Sequence, residues 1–436
     1  MNPRKVVKKF VPKTVFQKIE PSGHLAEAML WQTKAGYPAK DLKIIGVTGT
    51  NGKTSTCFLI HRMLHEAGLK VGLMTTVAYG VGDDLKPQIA HMTTVSSKLL
   101  VNRIKAMKEQ GIEWLVLETT SHALAQHRVW GVPYSIAVFT NLTHEHLDYH
   151  GTFERYRDAK RMLFKQANRN SKGLQVGIVN VDDPNAEWFA EDIARPLGYG
   201  INGGDLRAED LKLSSSGSKY TAVIGDERYR ITCHLPGNFN VYNSLAAVAV
   251  GRTVGLTKQQ IEDGIAALEG VEGRMTRIDE GQDFDVIIDF AHTPDSFEKL
   301  FKDLRPIVKG KLICLFGSAG RRDEAKRPIQ GQLAGEYCDE VILTEEDDRD
   351  IDGNVILKEI AAGAKKAGKK DGKNLHLILD RTEAIQFALS KAKKGDTVLL
   401  LGKGHEKTIE RADGEHQWDE IGTTKRLLKE LSKKHK

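Results

Sequence analysis

Cysteine is scarce in this chain of 436 residues: Cys57, Cys233, Cys314 and Cys338 lie far apart and form no Cys-x-x-Cys pair. That spacing argues against a structural zinc site and against a disulfide framework. No apolar run approaches the roughly 20 residues that a membrane-crossing helix needs. The basic N-terminus (Arg4, Lys5, Lys8, Lys9, Lys13) lacks the apolar stretch of a secretion signal, which points to the cytoplasm. Weak contact of that basic segment with a membrane surface stays open. Aromatic residues make up 7% of the chain and are not interleaved with basic ones in the way that stacks bases, so no nucleic-acid partner is expected. Internal repeats and low-complexity tracts are missing as well. The Lys/Gly cluster at 365–373 reads as an exposed loop, and the basic stretch from Lys425 to Lys436 as a solvated helix.

What the chain does have is α/β patterning. Hydrophobic residues at 40% and charged residues at 28% describe a globular protein, and 436 residues exceed one ordinary core, so about two or three domains are expected. Strand-like apolar runs at 42–47, 113–117, 134–139 and 175–181 alternate with helix-period segments, which predicts parallel sheets. Residues 201–235 alternate like a hairpin insertion around Ser214 to Gly217, and 240–268 read as helical. A break at Glu269 to Gly273 precedes a second set of strands at 285–290, 311–316, 340–344, 375–379 and 396–401. The resulting division is a short N-terminal segment (1–40), a central domain (41–272) and a C-terminal domain (273–436). Leu25, Ala28, Met29 and Leu30 suggest one short helix packed on the central domain.

The most telling segment is Gly46-Val47-Thr48-Gly49-Thr50-Asn51-Gly52-Lys53-Thr54-Ser55, between a strand and a helix. Glycines let backbone N–H groups approach phosphates, and a helix N-terminus favours negative charge. Lys53 would neutralise β/γ-phosphate charge and the Thr54 hydroxyl would hold Mg²⁺. The usual pattern wants Gly at 47; here Val stands there, so the loop is a variant. A nucleoside triphosphate is the expected ligand.

Glu118 ends a strand of the same block, where a carboxylate is well placed for Mg²⁺; a capping or salt-bridged Glu is the competing reading. Phe139 to His150 packs His144, His146 and His150 with Glu145 and Asp148 behind another strand, and metal chemistry alone does not choose among the three His. Lys160, on an amphipathic helix, reads on its own as a surface residue.

In order and spacing these segments resemble the Mur ligase family, whose members add amino acids to the peptidoglycan stem, and within it the ligases adding the third residue. The phosphate loop resembles G-T-N-G-K-T. Glu118 to Arg128 resembles E-x-x-S-H-(A/G)-L-x-Q-x-R, and Phe139 to His150 resembles F-T-N-L-x-x-D-H-L-D-Y-H, with Glu145-His146 for D-H. Tyr156 to Lys160 resembles Y-x-x-A-K, Leu235 to Asn243 L-x-G-x-F-N-x-x-N, and Gly273-Arg274-Met275 the start of the family's third domain. Further on, Asp289 to Pro294 resembles D-Y-A-H-T-P, Gly317 to Asp323 G-C-G-G-x-R-D, and Gly402 to Glu406 G-K-G-H-E.

The resemblance implies a P-loop-type central ATPase domain followed by a Rossmann-like C-terminal domain. It implies an ADP-forming acid–amino-acid ligase with ATP and Mg²⁺, acting as a monomer on small molecules. Gly49, Thr50, Asn51, Gly52, Lys53, Thr54, Ser55, Asn238 and Arg274 would bind ATP. Thr54, Glu118, His146 and Lys160 would hold metal, with Lys160 carbamylated to N6-carboxylysine; Lys53, Glu118, His146 and Lys160 would be the catalytic set. Thr93, Thr94, Ser121, Gln126 and Arg128 would bind the UDP-muramoyl dipeptide. Arg322, Asp347, Arg349, Gly402 and Glu406 would bind the amino acid.

Three departures matter. Met92 replaces the Asn that precedes the Thr pair. The segment ahead of the central domain is short for a uridine-diphosphate-binding domain, so a lipid-linked or non-nucleotide acceptor is an alternative. In place of D-N-P-R the chain reads Glu346-Asp347-Asp348-Arg349. Arg349 suits the distal carboxylate of meso-diaminopimelate, the favoured amino acid, whereas Asp347 would suit the ammonium of lysine or ornithine. Folylpolyglutamate synthesis and a non-enzymatic ATP-binding role are the remaining alternatives.

Overall fold

Apolar runs that are buried on both faces belong in parallel sheets with helices on either side. The structure is a computed structural model and describes residues 13–88, 93–214 and 216–434. It separates into two compact units, one drawn from Met1–Leu211, Lys219–Cys233 and Asn240–Leu268, the other from Lys212–Ser218, His234–Phe239 and Glu269–Lys436.

In chain order the first part contains α1 (Lys13–Lys34), β1 (Lys43–Thr48), α2 (Lys53–Glu66), β2 (Val71–Met74), β3 (Ala78–Val81), β4 (Asp84–Pro87) and α3 (Ser97–Glu109). Then come β5 (Trp114–Glu118), α4 (Ser121–Ala125), β6 (Tyr134–Phe139), α5 (Leu147–His150), α6 (Phe153–Arg169), β7 (Val176–Asn180), α7 (Ala186–Ala190) and β8 (Arg195–Gly200). The strands β9 (Leu206–Ser214), β10 (Gly217–Ile224) and β11 (Glu227–Cys233) precede α8 (Asn238–Val254) and α9 (Lys258–Ala266).

One sheet runs β11-β10-β9-β8-β7-β6-β1-β5-β2-β3-β4. β1 is central and parallel to both neighbours, with Val47 opposite Glu118 and Thr48 opposite Phe139. Every residue of β5, β6 and β7 is buried, which is why they read as unbroken apolar runs. Of the strands in this sheet that the pattern did not announce, β3, β4 and β8 are partly or mostly exposed and carry no apolar period, whereas β2 is buried throughout but only four residues long. The helix expected near the N-terminus is longer than foreseen, 22 residues, and of its four marker residues only Ala28 is buried. Met29 and Leu30 face outward. The Gln32 amide fastens the helix by donating to the Trp130 carbonyl at 2.9 Å.

The second part contains β12 (Thr276–Ile278), β13 (Asp285–Asp289), α10 (Pro294–Leu304), β14 (Leu312–Phe316), α11 (Lys326–Tyr337), β15 (Glu340–Leu343), α12 (Gly353–Lys366) and β16 (Leu375–Leu377). It ends with α13 (Arg381–Lys391), β17 (Thr397–Leu401), β18 (Thr408–Arg411), β19 (Gly414–Gln417) and α14 (Glu420–Lys434). Its sheet runs β12-β13-β17-β14-β15-β16 and is parallel except for β12. Side chains alternate across a strand, so Cys314 and Phe316 pack on one face with Phe297, Leu300 and Ile360. Ile313 and Leu315 pack on the other with Ile385, Leu389, Leu427 and Leu428. The basic C-terminal helix thus buries one apolar stripe. Part of the Lys/Gly cluster, Lys365 and Lys366, forms the last turn of α12, where cations suit the helix dipole.

In each sheet the strand order reverses beside a central strand, at β1 in the first and between β13 and β14 in the second. Open α/β sheets bind ligands at the carboxyl ends of strands at such points.

Candidate active site

The loop between β1 and α2 is shaped by close packing. Gly52 caps α2 with φ 83°, and a Cβ there would stand 2.3 Å from Asn243 Oδ1. A Cβ on Gly49 would meet Thr140 Oγ1 at 1.9 Å. Gly46 serves a different purpose: its Cβ would strike Leu163 and the Tyr134 ring, so it is a packing glycine inside β1, and the shifted motif follows from that. No side chain caps α2, which leaves its first N–H groups for an anion. The Asn141 carbonyl accepts from Thr50 N–H at 2.8 Å and its side-chain oxygen from Asn51 N–H at 2.9 Å, holding the loop open. Lys53 Nζ folds back onto the loop, donating to the Thr50 carbonyl at 2.6 Å and the Gly49 carbonyl at 3.1 Å.

Glu118 lies at the carboxyl end of β5, beside the loop, and is buried. Its Oε2 accepts from Thr54 Oγ1 at 3.0 Å, Thr76 N–H at 3.0 Å and Thr76 Oγ1 at 3.1 Å. These are neutral donors. A buried carboxylate whose hydrogen-bond donors are neutral is costly, and a nearby cation offsets that cost.

Tyr156 and Lys160, four residues apart on α6, share one buried face. The Tyr156 hydroxyl meets Thr50 Oγ1 at 3.1 Å and donates to Glu145 at 3.5 Å. Lys160 Nζ donates to the Gly49 carbonyl at 2.6 Å and sits 4.5 Å from the Tyr156 ring centre. Burial, then the neighbouring Lys53 charge, hold its pKa well below the ordinary lysine value against the opposing pull of Glu145 and Glu118. The surface reading of this lysine is therefore corrected: it is 2% exposed. His146 takes a left-handed backbone (φ 55°), its Nε2 is 3.7 Å from Glu145 Oε2, and its ring meets His122 edge-on.

Thr94, Ser121 and Arg128 are brought together. Thr94 Oγ1 donates to the Glu118 carbonyl at 3.0 Å and lies 3.2 Å from Thr120 Oγ1; the cap of α3 is Ser96, not the Thr pair. Arg128 donates to the Thr94 carbonyl, and burial lowers its pKa to about 10. Ser121 Oγ is 3.0 Å from His150 Nε2, and Gln126 closes α4. Thr93 is half-buried, Ser55 is buried on α2, and Met92 lies outside the described residues.

In the second unit Asn238 opens α8, and the Arg274 guanidinium lies 4.6 Å from the Phe290 ring centre. Lys403 is 1% exposed and spans Asp347 at 2.9 Å and Glu406 at 2.6 Å. Burial opposes its charge, but Glu406 and Asp347 outweigh burial and raise its pKa. Gly402 (φ 98°) faces Glu346, whose buried Oε2 has no hydrogen-bond partner among the described residues. Arg349 pairs with Glu410 at 2.8 Å, while Arg322 is exposed. Thr76, Asn243, Lys403 and Glu410 were not singled out in the sequence. Lys403 sits inside the Gly402–Glu406 motif and Asn243 closes the Leu235–Asn243 motif; Thr76 and Glu410 carry no local signal.

A Mur ligase middle domain matches residues 47–251, and a Mur ligase glutamate ligase domain matches 273–404. A UDP-N-acetylmuramyl-tripeptide synthetase from Roseiflexus sp. is 41% identical over 427 residues, covering 94% of this chain and 83% of the relative. The chain belongs to the Mur ligase family. A UDP-N-acetylmuramoyl-L-alanyl-D-glutamate--2,6-diaminopimelate ligase from Bacillus licheniformis is 39% identical over 411 residues, covering 93% and 82%. A solved structure of a ligase of that name superposes with a TM-score of 0.66 at 32% identity, covering 95% of this chain and 83% of the other.

This Mur ligase is an ATP-dependent acid–amino-acid ligase of peptidoglycan synthesis. Mur ligases use ATP and Mg²⁺. The residues present fit the ion: Mg²⁺ takes one or two protein oxygens and completes its shell with phosphate and water. The Thr54 hydroxyl and the Glu118 carboxylate, whose hydrogen-bond donors are all neutral among the described residues, form such a pair. No group of three or more His, Cys, Asp or Glu that could hold a metal occurs among the described residues. No helix among the described residues is long and apolar enough to cross a membrane.

Proposed function

We propose that this Mur ligase joins an amino acid, meso-diaminopimelate in the favoured reading, to the D-glutamate carboxylate of UDP-N-acetylmuramoyl-L-alanyl-D-glutamate. The observation that carries the reading is the Thr54–Glu118 pair at the mouth of a phosphate loop whose helix N-terminus is uncapped. The names of the relatives support the acceptor and the amino acid. ATP and a nucleotide-linked acceptor are cytoplasmic metabolites, so the reaction belongs there, carried out by a monomer.

Lys53 and the α2 N–H groups bind the β- and γ-phosphates and stabilise charge as the acceptor carboxylate attacks the γ-phosphorus and ADP departs. Thr54 and Glu118 would hold Mg²⁺, which would supply charge neutralisation at the phosphates. Thr94, Ser121, Gln126 and Arg128 orient the acceptor. The α-amine of the amino acid then attacks the acyl phosphate carbonyl, and phosphate leaves. Positioning accounts for most of the acceleration.

Lys160 is read as N6-carboxylysine. Carbamylation needs a neutral amine, and a buried lysine beside another cation is biased towards that form. The carbamate would turn a buried amine near the Lys53 charge into an anion, and with His146 it would hold a second ion.

Phosphate release with ATP, Mg²⁺ and the UDP-linked dipeptide, in parallel with meso-diaminopimelate, L-lysine or neither, tests the reading. Release that depends on one amino acid, with the matching tripeptide formed, supports it. Silence in a protein that still binds ATP would overturn the UDP-linked acceptor in favour of a lipid-linked one.

A further inference from the structure

The Arg349 guanidinium, assigned to a second carboxylate on the incoming amino acid, already holds one. Its Nε donates to Glu410 Oε2 at 2.8 Å, and its Nη1 to the Gly320 carbonyl. A guanidinium grips a carboxylate best through two parallel N–H donors on one edge. Nε and Nη1 lie on different edges, so each edge has one donor in use. The Gly320 acceptor is backbone and stays in place. The Glu410 carboxylate is the movable one, with a side chain 45% exposed against 20% for Arg349.

Glu410 is aimed by its strand. The Arg349 N–H donates to the Glu410 carbonyl at 2.9 Å, and the Glu410 N–H donates to Asp347 Oδ1 at 3.0 Å. The next residue, Arg411, donates to both oxygens of Glu345 at 2.8 and 2.7 Å. The β18–β19 hairpin is thereby fastened along the 345–349 loop, and Arg349 keeps a left-handed backbone (φ 57°) within that contact.

We propose that Glu410 is a specificity-determining residue: an internal competitor that occupies Arg349 and weighs the site against amino acids with a second carboxylate. The inference rests on the amino-acid site read above. A substrate with a distal carboxylate must displace Glu410 to use Arg349. One with a side-chain ammonium leaves the pair intact. Exposed ion pairs are weak, so the competition adjusts preference and does not forbid binding.

The test compares wild type with Glu410→Gln, measuring kcat and KM for meso-diaminopimelate and L-lysine at saturating ATP and acceptor. Glutamine keeps the backbone bonds and size but surrenders the charge. The diaminopimelate KM should fall about 1.5-fold to fivefold with kcat little changed, a range that follows from the worth of an exposed pair. The L-lysine KM should not fall, so the ratio of the two kcat/KM values rises. In an Arg349→Ala background the same change should leave that ratio unaltered. An unchanged ratio in Glu410→Gln, with wild-type turnover intact, overturns the proposal alone. A ratio that shifts equally without Arg349 overturns it too, because Glu410 would then act on the substrate directly. Silence of the wild type with both amino acids counts against the ligase reading, and this inference falls with it.

Discussion

Lys160 Nζ lies 2.6 Å from the Gly49 carbonyl oxygen, so α6 delivers an amine to the back of the phosphate loop. Burial and Lys53 both disfavour the ammonium there. The position holds an ionisable amine that stability alone would not select.

The first prediction concerns that amine. A neutral amine adds to CO₂, giving a carbamate and releasing a proton. Wild-type protein equilibrated with ¹³C-bicarbonate should show a carbamate carbon by NMR, and Lys160→Met should not. Turnover of Lys160→Met should drop at least about a hundredfold, in the range seen when a charge-stabilising group is removed. Its melting temperature at neutral pH should rise. The folded pKa lies below the unfolded one, so the lysine penalty is full below the folded value and fades as pH climbs towards the unfolded value. Full activity in the variant would remove the carbamate from the mechanism.

Glu118→Gln addresses the cation. The amide keeps an oxygen for Thr54 and Thr76 but loses the charge. The Mg²⁺ concentration giving half-maximal turnover should rise about tenfold or more, since Mg²⁺ here depends on few protein oxygens. Thermal stability without nucleotide should hold or improve, because a buried carboxylate with neutral partners is lost. An unaltered Mg²⁺ requirement would take Glu118 out of the metal site.

Much of this was legible in the chain and some was not. The strands β1, β5, β6, β7 and β14 announced themselves because burial on both faces demands unbroken apolar runs. β4 escaped because three of its four residues are exposed. The phosphate loop was readable because its glycines are neighbours in sequence. The environment of Lys160 was not, since it is made by Gly49, 111 residues away. Thr76 and Glu410 were invisible for the same reason: their meaning lies in Glu118, 42 residues distant, and Arg349, 61 residues distant.

Gly52→Ala tests the loop's backbone. Gly52 has φ 83°, and the new methyl would sit 2.3 Å from Asn243 Oδ1. Left-handed strain for a non-glycine residue costs about 1–3 kcal/mol, and the displaced Asn243 adds to it. The melting temperature should fall and the KM for ATP should rise together. Asn243→Ala in the same chain should recover part of the stability by opening space. A stable Gly52→Ala protein with unchanged ATP affinity would mean that the loop tolerates another shape.

Asp348 supplies a pH test in the second unit. Burial pushes its pKa up to about 6, and the charges of Glu345, Glu346 and Asp347 push the same way against a backbone bond at Glu346. The ordinary value is 3.8, so between about pH 4 and 6 the folded protein binds more protons than the unfolded chain. Stability contributed at this position therefore falls as pH rises through that window and stays lower above it. Asp348→Asn removes the ionisation while keeping the side chain's size. Melts of the two proteins should differ little at pH 4, with the variant the more stable at pH 8. A variant that is less stable at pH 8 would show that the charged form makes a contact worth more than its burial costs.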